Sequence, residues 1–348
     1  MSSNPALLNA IREEIQASPE SAISFRRFME LSLYHPEQGY YSSSSSPIGR
    51  GGDFFTSVSV GECFGRLLAE WIRNAEPEKR VTVIEQGAND GQLAADILSH
   101  RPNVDYCIVE PLTALRERLR NRFSGEQVRV VAGLADLALT QPALFLCNEL
   151  VDAFPVHRVR FGGGEWREIY VSTAFEEELR PLSDPRLTYE LESAPQIEGY
   201  TAEVNLSMLG WIRELAAHLP VGSQALVIDY GFGGDDDHFA PERSSGTLRG
   251  YRSHQPLDDP YTAIGNADLT THVDFPRLAQ AARKAGFASL SLVDQHHFLI
   301  PLARQWFAEI EQSGHAPSPE NQKLLRQFQT LTHPSMMGQS FKVLQLVR

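Results

Sequence analysis

The chain has 348 residues, 42% of them hydrophobic and 22% charged, and 31 Lys and Arg against 44 Asp and Glu leave a formal net charge of −13. That composition suits a globular protein with a full core and room for about two domain-sized units, and it excludes a chain disordered throughout. The acidic balance disfavours broad contact with phosphate backbones and suits a basic partner, so nucleic acid is not an expected ligand.

No run approaches the roughly 18 consecutive apolar residues needed to span a bilayer. The opening MSSNPALLNAIREEIQ has no basic region followed by an apolar one, and Glu13 and Glu14 are out of place in a mitochondrial presequence, which makes the cytoplasm the expected location. Cys63, Cys107 and Cys147 are odd in number and far apart, and two fall in the apolar runs DYCIVEP and LFLCNEL. They are expected as small hydrophobes, not as a disulfide framework or a zinc site.

Up to about Glu76, apolar residues at three- and four-residue spacing predict helices in ALLNAIREEI, SFRRFMELSLY and VGECFGRLLAEWIRNA, with the Gly- and Ser-rich QGYYSSSSSPIGRGGDFFTS before the last. From Val81 short apolar runs alternate with amphipathic ones. VTVIEQ, VDYCIVE, VRVVAG and ALFLCNE read as strands, and GQLAADILSH and LTALRERLRNRF as helices between the first three. That alternation predicts an α/β fold with a parallel sheet. PVHRVRF, Gly162 to Gly164 and EWREIYVST then read as a β-hairpin of open turn type, and TAEVNLSMLGWIRELAAHL as a helical stretch. Gly222 precedes a fifth core strand, ALVIDYG, so residues 156–221 form a large insertion. Downstream, DFPRLAQAARKAGF is a helix with Asp274 as N-cap and Gly286 as its stop, followed by the strand SLSLVD, two helical stretches and a last strand, SFKVLQLV. The expected organisation is a helical extension, 1–76, before a domain, 77–348, with seven core strands.

The most informative stretch is VTVIEQGANDGQLAADIL: a strand ending at Glu85, a turn with Gly87 and Gly91, then an amphipathic helix. Such a unit sets backbone N–H groups and a helix N-terminus at the carboxyl edge of a parallel sheet, where ligands bind. A dinucleotide loop would need glycine where Asn89 and Gln92 stand, and the Gly-Lys-Ser/Thr of a P-loop is absent. What fits is an acid at the strand end and a second acid, Glu110, closing the next strand, where a carboxylate accepts from both ribose hydroxyls of an adenosine. Without a pyrophosphate cradle, S-adenosylmethionine meets the description, because its sulfonium and ammonium prefer carboxylates and carbonyls. The same residues also fit a structural turn, with Asp90 capping the helix and Glu110 solvated.

The second constellation is NELVDAFP, where Asn148, Glu149 and Asp152 follow the fourth strand. Strands one and four of an open parallel sheet both end at the crevice, so these side chains would border the ligand's reactive end. Methyl transfer needs an acceptor lone pair held in line with the departing sulfur. Guanidinium has a pKa above 12 and no free lone pair, so paired carboxylates that fix its plane and favour proton loss are the expected device, a task Glu149 and Asp152 could serve. The alternative is that Asn148 and Asp152 merely cap the turn before Phe154 and Pro155. His296 and His297 are adjacent and expected to point in different directions, so no metal is predicted. Gly-x-Ser-x-Gly is missing, which argues against a hydrolase. Tyr40, Tyr41, Phe54 and Phe55 are expected to pin the Ser-rich loop to the core.

LYHPEQGYY, GRGGDFFTS, IEQGANDGQLAADIL, NELVDAFPVH, LVIDYG, GTLRGYRSH, DLTTHVDF and MGQSFKVL occur in the order and approximate spacing of the MidA-like family, which the chain resembles from about Phe25 to Leu346. That family comprises S-adenosylmethionine-dependent methyltransferases whose mitochondrial members assist assembly of respiratory complex I by methylating an arginine of a complex subunit. The resemblance implies a class I methyltransferase (Rossmann-like) fold: a seven-stranded sheet with its last strand antiparallel, a helical N-terminal extension and an inserted lobe. By similarity, Glu85, Gly87, Asn89 and Gly91 form the cofactor loop, Glu110 holds the ribose, Asn148 and Glu149 border the methyl group, and the segment from Asp53 through Thr56 to Ser57 covers the cofactor. Asp229 to Gly231 and Asp268 to His272 would face the acceptor. Where the family usually has a middle glycine this chain has Asn89, which tolerates positive φ better than most residues. The implied partner is an arginine-bearing protein, such as a respiratory-complex subunit. Two other readings share these residues: an assembly chaperone without catalysis, and a methyltransferase for a small molecule.

Overall fold

The structure, a computed structural model, describes residues 3–42, 56–76, 80–125, 128–233, 237–252, 255–312 and 317–348. Its N-terminal part contains α1 (Pro5–Ala17), β1 (Ala22–Ser24), α2 (Phe25–Tyr34), α3 (Ser57–Val60) and α4 (Cys63–Ala75). The first two helices begin where the sequence supplies a cap. Asn4 Oδ1 accepts from the Ala6 and Leu7 N–H groups with Pro5 in the first turn, and Ser24 Oγ accepts from Arg27 N–H.

The alternating region follows as β2 (Thr82–Gln86), α5 (Gln92–His100), β3 (Asp105–Val109), α6 (Thr113–Arg122), β4 (Val128–Val131) and β5 (Leu144–Asn148). Next come β6 (His157–Gly162), β7 (Glu165–Ser172), β8 (Glu177–Arg180), α7 (Arg186–Glu190), β9 (Thr201–Val204) and α8 (Leu206–His218). The remainder is β10 (Gln224–Phe232), β11 (Arg249–Arg252), β12 (Gln255–Leu257), β13 (Asp268–Thr270), β14 (Val273–Asp274), α9 (Phe275–Lys284), β15 (Ala288–Asp294), α10 (Gln295–Leu302), α11 (Arg304–Gln312), α12 (Pro319–Thr332) and β16 (Phe341–Val347).

The central sheet runs β15-β16-β10-β5-β2-β3-β4, with the two-residue β14 added alongside β10. From β4 to β10 all neighbours are parallel, whereas β16 is antiparallel to both β10 and β15. Both faces are buried, so alternate residues of one strand feed different cores. In β3, Tyr106 and Ile108 join Phe64, Leu68, Trp71 and Ile97, while Cys107 and Val109 join Trp211, Ile212 and Leu215 of α8 on the other face. All three cysteines are buried and unbridged.

A second sheet, β1-β7-β6-β9 with β8 beside β7, joins the N-terminal part to the hairpin. Gly162 pairs with Glu165, leaving Gly163 (φ 62°) and Gly164 (φ 84°) as a two-residue loop in which both residues have positive φ, the type I′ pattern. Under this sheet α1 and α2 contribute Leu7, Ile11, Phe25 and Phe28 to a core shared with Ile169 and Val171. A third sheet, β12-β11-β13, is small.

Several details depart from the sequence reading. Thr201–Val204, expected as the start of a helix, is a strand paired with β6, and the helix begins after Asn205, whose side chain accepts from Met208 N–H. Ala22–Ser24 is a strand because β7 lies beside it. Among the described residues three α-helices, α10 to α12, and not two, separate β15 from β16. Asp274 caps α9 through Arg277 N–H, and Gly286 follows it with φ 96°. Among the described residues no helix is long and apolar enough to cross a membrane.

Candidate active site

The chain leaves β2 toward β3 on one side and β5 lies on the other, so β2 and β5 border a switch point of the sheet. A cavity of about 740 Å³ opens there, lined by the ends of β2, β3 and β5 and closed by residues of α2 and α3. Among the described residues nine carboxylates line it against Arg26 and Lys323, a balance that suits a cationic ligand and disfavours a polyphosphate.

The turn after β2 has the backbone that its residues require. Gly87, Asn89 and Gly91 have φ values of 80°, 53° and 81°, and a Cβ on Gly91 would lie 2.7 Å from Phe123 Cε2. Asn89 thus adopts the left-handed conformation that asparagine tolerates better than most residues with a side chain. Asp90 Oδ1 accepts from Gln92 N–H at 3.0 Å, but the N-cap of α5 is Gly91, so Asp90 holds the turn from one residue before the cap and is not the cap expected from sequence. Glu85 is buried and its Oε2 accepts from Tyr106 O–H at 2.7 Å; burial lifts its pKa to about 7 despite that bond. Glu110 lines the cavity and is not solvated; its Oε1 accepts from Leu112 N–H at 2.7 Å, and burial raises it to about 7.

Asn148, Glu149 and Asp152 come together at the end of β5. Glu149 has φ 51°, uncommon for a residue with a side chain, and its Oε1 accepts from Asn148 Nδ2 at 2.8 Å and Ser57 N–H at 2.9 Å. Its Oε2 is buried with no hydrogen-bond partner among the described residues. Asp152 Oδ2 accepts from Tyr230 O–H at 2.7 Å while Oδ1 is likewise buried and unpartnered, as is Asn148 Oδ1. Burial lifts Glu149 to about 8, with the Asp152 charge adding to the effect, and lifts Asp152 to about 6. Polar atoms so dry and unpaired are expected where a ligand completes the hydrogen bonding.

Thr56 caps α3 through Ser59 and lines the cavity, whereas Ser57 acts through its N–H on Glu149 and its Oγ on Gln295 Oε1 at 3.3 Å. Asp53, Phe54 and Phe55 lie outside the described residues. Tyr40 and Tyr41 both pack on the N-terminal core and both also line the cavity, where Tyr41 stacks on Tyr34 at 5.4 Å and donates to Asp268 Oδ1 at 2.9 Å. Tyr34 O–H donates to Ala153 O at 2.9 Å. Tyr34 gave no signal beyond an apolar helical position, because its partner is 119 residues away.

Adjacent His296 and His297 do not diverge: at the start of α10 their rings lie 3.9 Å apart, beside Asp294. Lys342 Nζ already pairs with Asp294 Oδ1 at 2.6 Å, and His296 Nδ1 contacts Gly338 O at 2.8 Å, so the cluster's one anion is neutralised.

A run of parallel strands with a glycine turn and buried carboxylates at its switch point defines a nucleotide-type pocket on an α/β sheet. A family model of S-adenosyl-L-methionine-dependent methyltransferases matches residues 63–293, and the chain belongs to that family. It is a methyltransferase that uses S-adenosylmethionine. It is 26% identical to the mitochondrial protein arginine methyltransferase NDUFAF7 of Xenopus laevis over 98% of this chain and 84% of that protein. The Drosophila melanogaster NDUFAF7 homolog is 27% identical over 99% and 85%. A Burkholderia thailandensis structure bound to S-adenosyl-homocysteine superposes with TM-score 0.85 at 28% identity, covering 99% of this chain and 92% of that one.

Proposed function

We propose that the chain methylates an arginine side chain of a protein, with Glu149 and Asp152 receiving the guanidinium and Asn148 holding Glu149 in place. The observation that carries this reading is the pair of buried, unpartnered oxygens, Glu149 Oε2 and Asp152 Oδ1, on one loop of the cavity. Guanidinium offers only donors, and two carboxylates match its planar fork. The relatives named protein arginine methyltransferases agree with that chemistry.

Bound S-adenosylmethionine supplies an electrophilic methyl on a sulfonium. Glu85 and the Gly87–Asn89–Gly91 turn would hold the cofactor, Glu110 would accept from its ribose hydroxyls, and Thr56 would border it, with Ser57 behind through its bond to Glu149. As the acceptor nitrogen bonds the methyl, the methyl–sulfur bond breaks with its electron pair left on sulfur, giving uncharged S-adenosylhomocysteine, and the nitrogen sheds a proton. A carboxylate elevated to about 6 or 8 accepts that proton more readily than an ordinary one. The seven-strand path with β16 antiparallel serves as a class I methyltransferase sheet, with 1–76 as extension, 77–348 as catalytic domain and 156–221 as inserted lobe. On the family resemblance, the acceptor protein is a respiratory-complex subunit.

The test is transfer of labelled methyl from S-adenosylmethionine to candidate partner proteins, followed by peptide mapping. Label on arginine that disappears in Glu149→Gln is the expected outcome. Label only on small molecules would replace the acceptor, and partner binding without any label would indicate an assembly chaperone.

A further inference from the structure

Asp229 was expected by similarity to face the acceptor, yet it is fully buried and absent from the cavity wall. Its carboxylate faces backbone instead. Oδ2 accepts from Val151 N–H at 3.0 Å and Asp152 N–H at 3.2 Å, and Oδ1 accepts from Tyr230 N–H at 2.9 Å. The next residue, Tyr230, donates its O–H to Asp152 Oδ2 at 2.7 Å. Two consecutive residues at the end of β10 thus grip the loop after β5, one by backbone and one by side chain, and leave Asp152 Oδ1 as the oxygen without a partner. The frame behind them is stiff: Ile228 O accepts from Glu149 N–H at 2.9 Å, and a Cβ on Gly231 would lie 2.2 Å from Val273 O.

We propose that Asp229 and Tyr230 are positioning residues that aim the Glu149–Asp152 loop at the cationic ligands of the cavity. The inference rests on the reading that Glu149 and Asp152 face those ligands. A buried carboxylate is a costly way to tie down two amides, since an uncharged acceptor would serve them without desolvating a charge. The return is electrostatic. The surroundings are acidic or neutral: Glu149 and Asp152 of the loop and Cys147 of β5 face Asp229, Glu85 of β2 faces Cys147, Asp268 of β13 with Tyr34 and Tyr41 of the N-terminal part faces the carboxylates of the loop, and the His272 ring lies beside Tyr230. Lys342 is paired in register with Asp229 on β16, but its ammonium goes to Asp294. Asp229, Asp152 and Glu149 repel one another as anions, so burial and these two neighbours push the Asp229 carboxyl well above the usual range and the three hold their protons more tightly together than apart, while the Tyr230 hydroxyl stabilises the ionised Asp152.

The experiment needs no acceptor. Calorimetric titrations with S-adenosylmethionine and with S-adenosylhomocysteine across pH 5 to 9 give the ratio of the two affinities, which responds to carboxylate charge near the sulfonium because only the first ligand carries it. In the unchanged protein the preference for S-adenosylmethionine should grow with pH as the carboxylates ionise. Asp229→Asn should move the midpoint to lower pH and Tyr230→Phe to higher pH, with S-adenosylhomocysteine binding at pH 8 kept within about threefold and the melting transition still cooperative. Midpoints unmoved in both folded variants, or moved in the same direction, would overturn the proposal. If Asp229→Asn does not fold, the sign of the Tyr230→Phe shift decides. A ratio independent of pH in the unchanged protein would instead sink the placement of Glu149 and Asp152 beside the cofactor.

Discussion

Glu149 concentrates the conflict between stability and chemistry at a single residue. It holds a left-handed backbone, which costs about 1–3 kcal/mol, and a carboxylate whose pKa burial has raised from the usual range to about 8. Because the folded pKa lies above the unfolded one, the folded chain keeps a proton that the unfolded chain releases. The associated stability is present below about pH 4.5 and is lost as pH rises through 8. Glu149→Gln keeps an acceptor for Ser57 N–H, so it should stabilise the ligand-free protein by about 2–4 kcal/mol at pH 8 and hardly at all at pH 4.5. Melting curves at the two pH values check this; equal shifts at both would show that the gain is not electrostatic. The same variant should lose methyl transfer by more than about 100-fold while binding S-adenosylhomocysteine, because it removes a carboxylate that the acceptor and the sulfonium need and the uncharged sulfur does not. If Glu110 holds the ribose as proposed, Glu110→Ala should do the reverse, weakening S-adenosylhomocysteine by about 10- to 100-fold, as calorimetry would read.

At the scale of elements, the turn joining β2 to α5 separates two kinds of glycine requirement. Gly91 needs both its positive φ and the room taken by Phe123 and Leu119 of the neighbouring helix region, so Gly91→Ala should destabilise the fold by about 2 kcal/mol or more. Asn89 needs only its φ, so Asn89→Gly should change stability by less than about 1 kcal/mol. Chemical denaturation of the two variants tests the contrast, which would fail if Asn89→Gly were the more damaging. Element α3 is held from both sides: Ser57 reaches Glu149 and Gln295, and Gln327 Oε1 accepts from Cys63 N–H at 3.1 Å just beyond it. The C-terminal helices thereby fix the segment that closes the cavity, although they lie more than 230 residues away in sequence.

Across the whole molecule, the N-terminal part belongs to the site as much as to the scaffold. Tyr34 and Tyr41 wall the cavity, and the helix carrying Tyr34 is anchored through Phe25 and Phe28 to the second sheet. Phe28 is fully buried, so Phe28→Ala should cost about 3–5 kcal/mol. Since β2, β3 and β5 do not depend on that core, the variant should lose acceptor methylation more than S-adenosylhomocysteine affinity at temperatures where it stays folded. Equal loss of both would show that the two sheets behave as one cooperative unit.

Much of this protein could be read from local pattern. The alternation of apolar runs and amphipathic stretches marked the strands and crossovers of the central sheet, because side chains buried on both faces leave a continuous apolar signal. The acids at Glu85 and Glu110, the glycine turn and the Asn148–Glu149–Asp152 cluster stood at strand ends, where a parallel sheet binds ligands. Short strands such as Ala22–Ser24 and Thr201–Val204 had no such signal, since each is a strand only because a partner lies beside it. Nor could the sequence distinguish a solvated Glu110 from a buried one, or foresee that Asp229 would turn from the ligand to grip the loop at Val151 and Asp152. Those outcomes depend on which distant backbone groups are left needing a partner, and only the packed chain decides that.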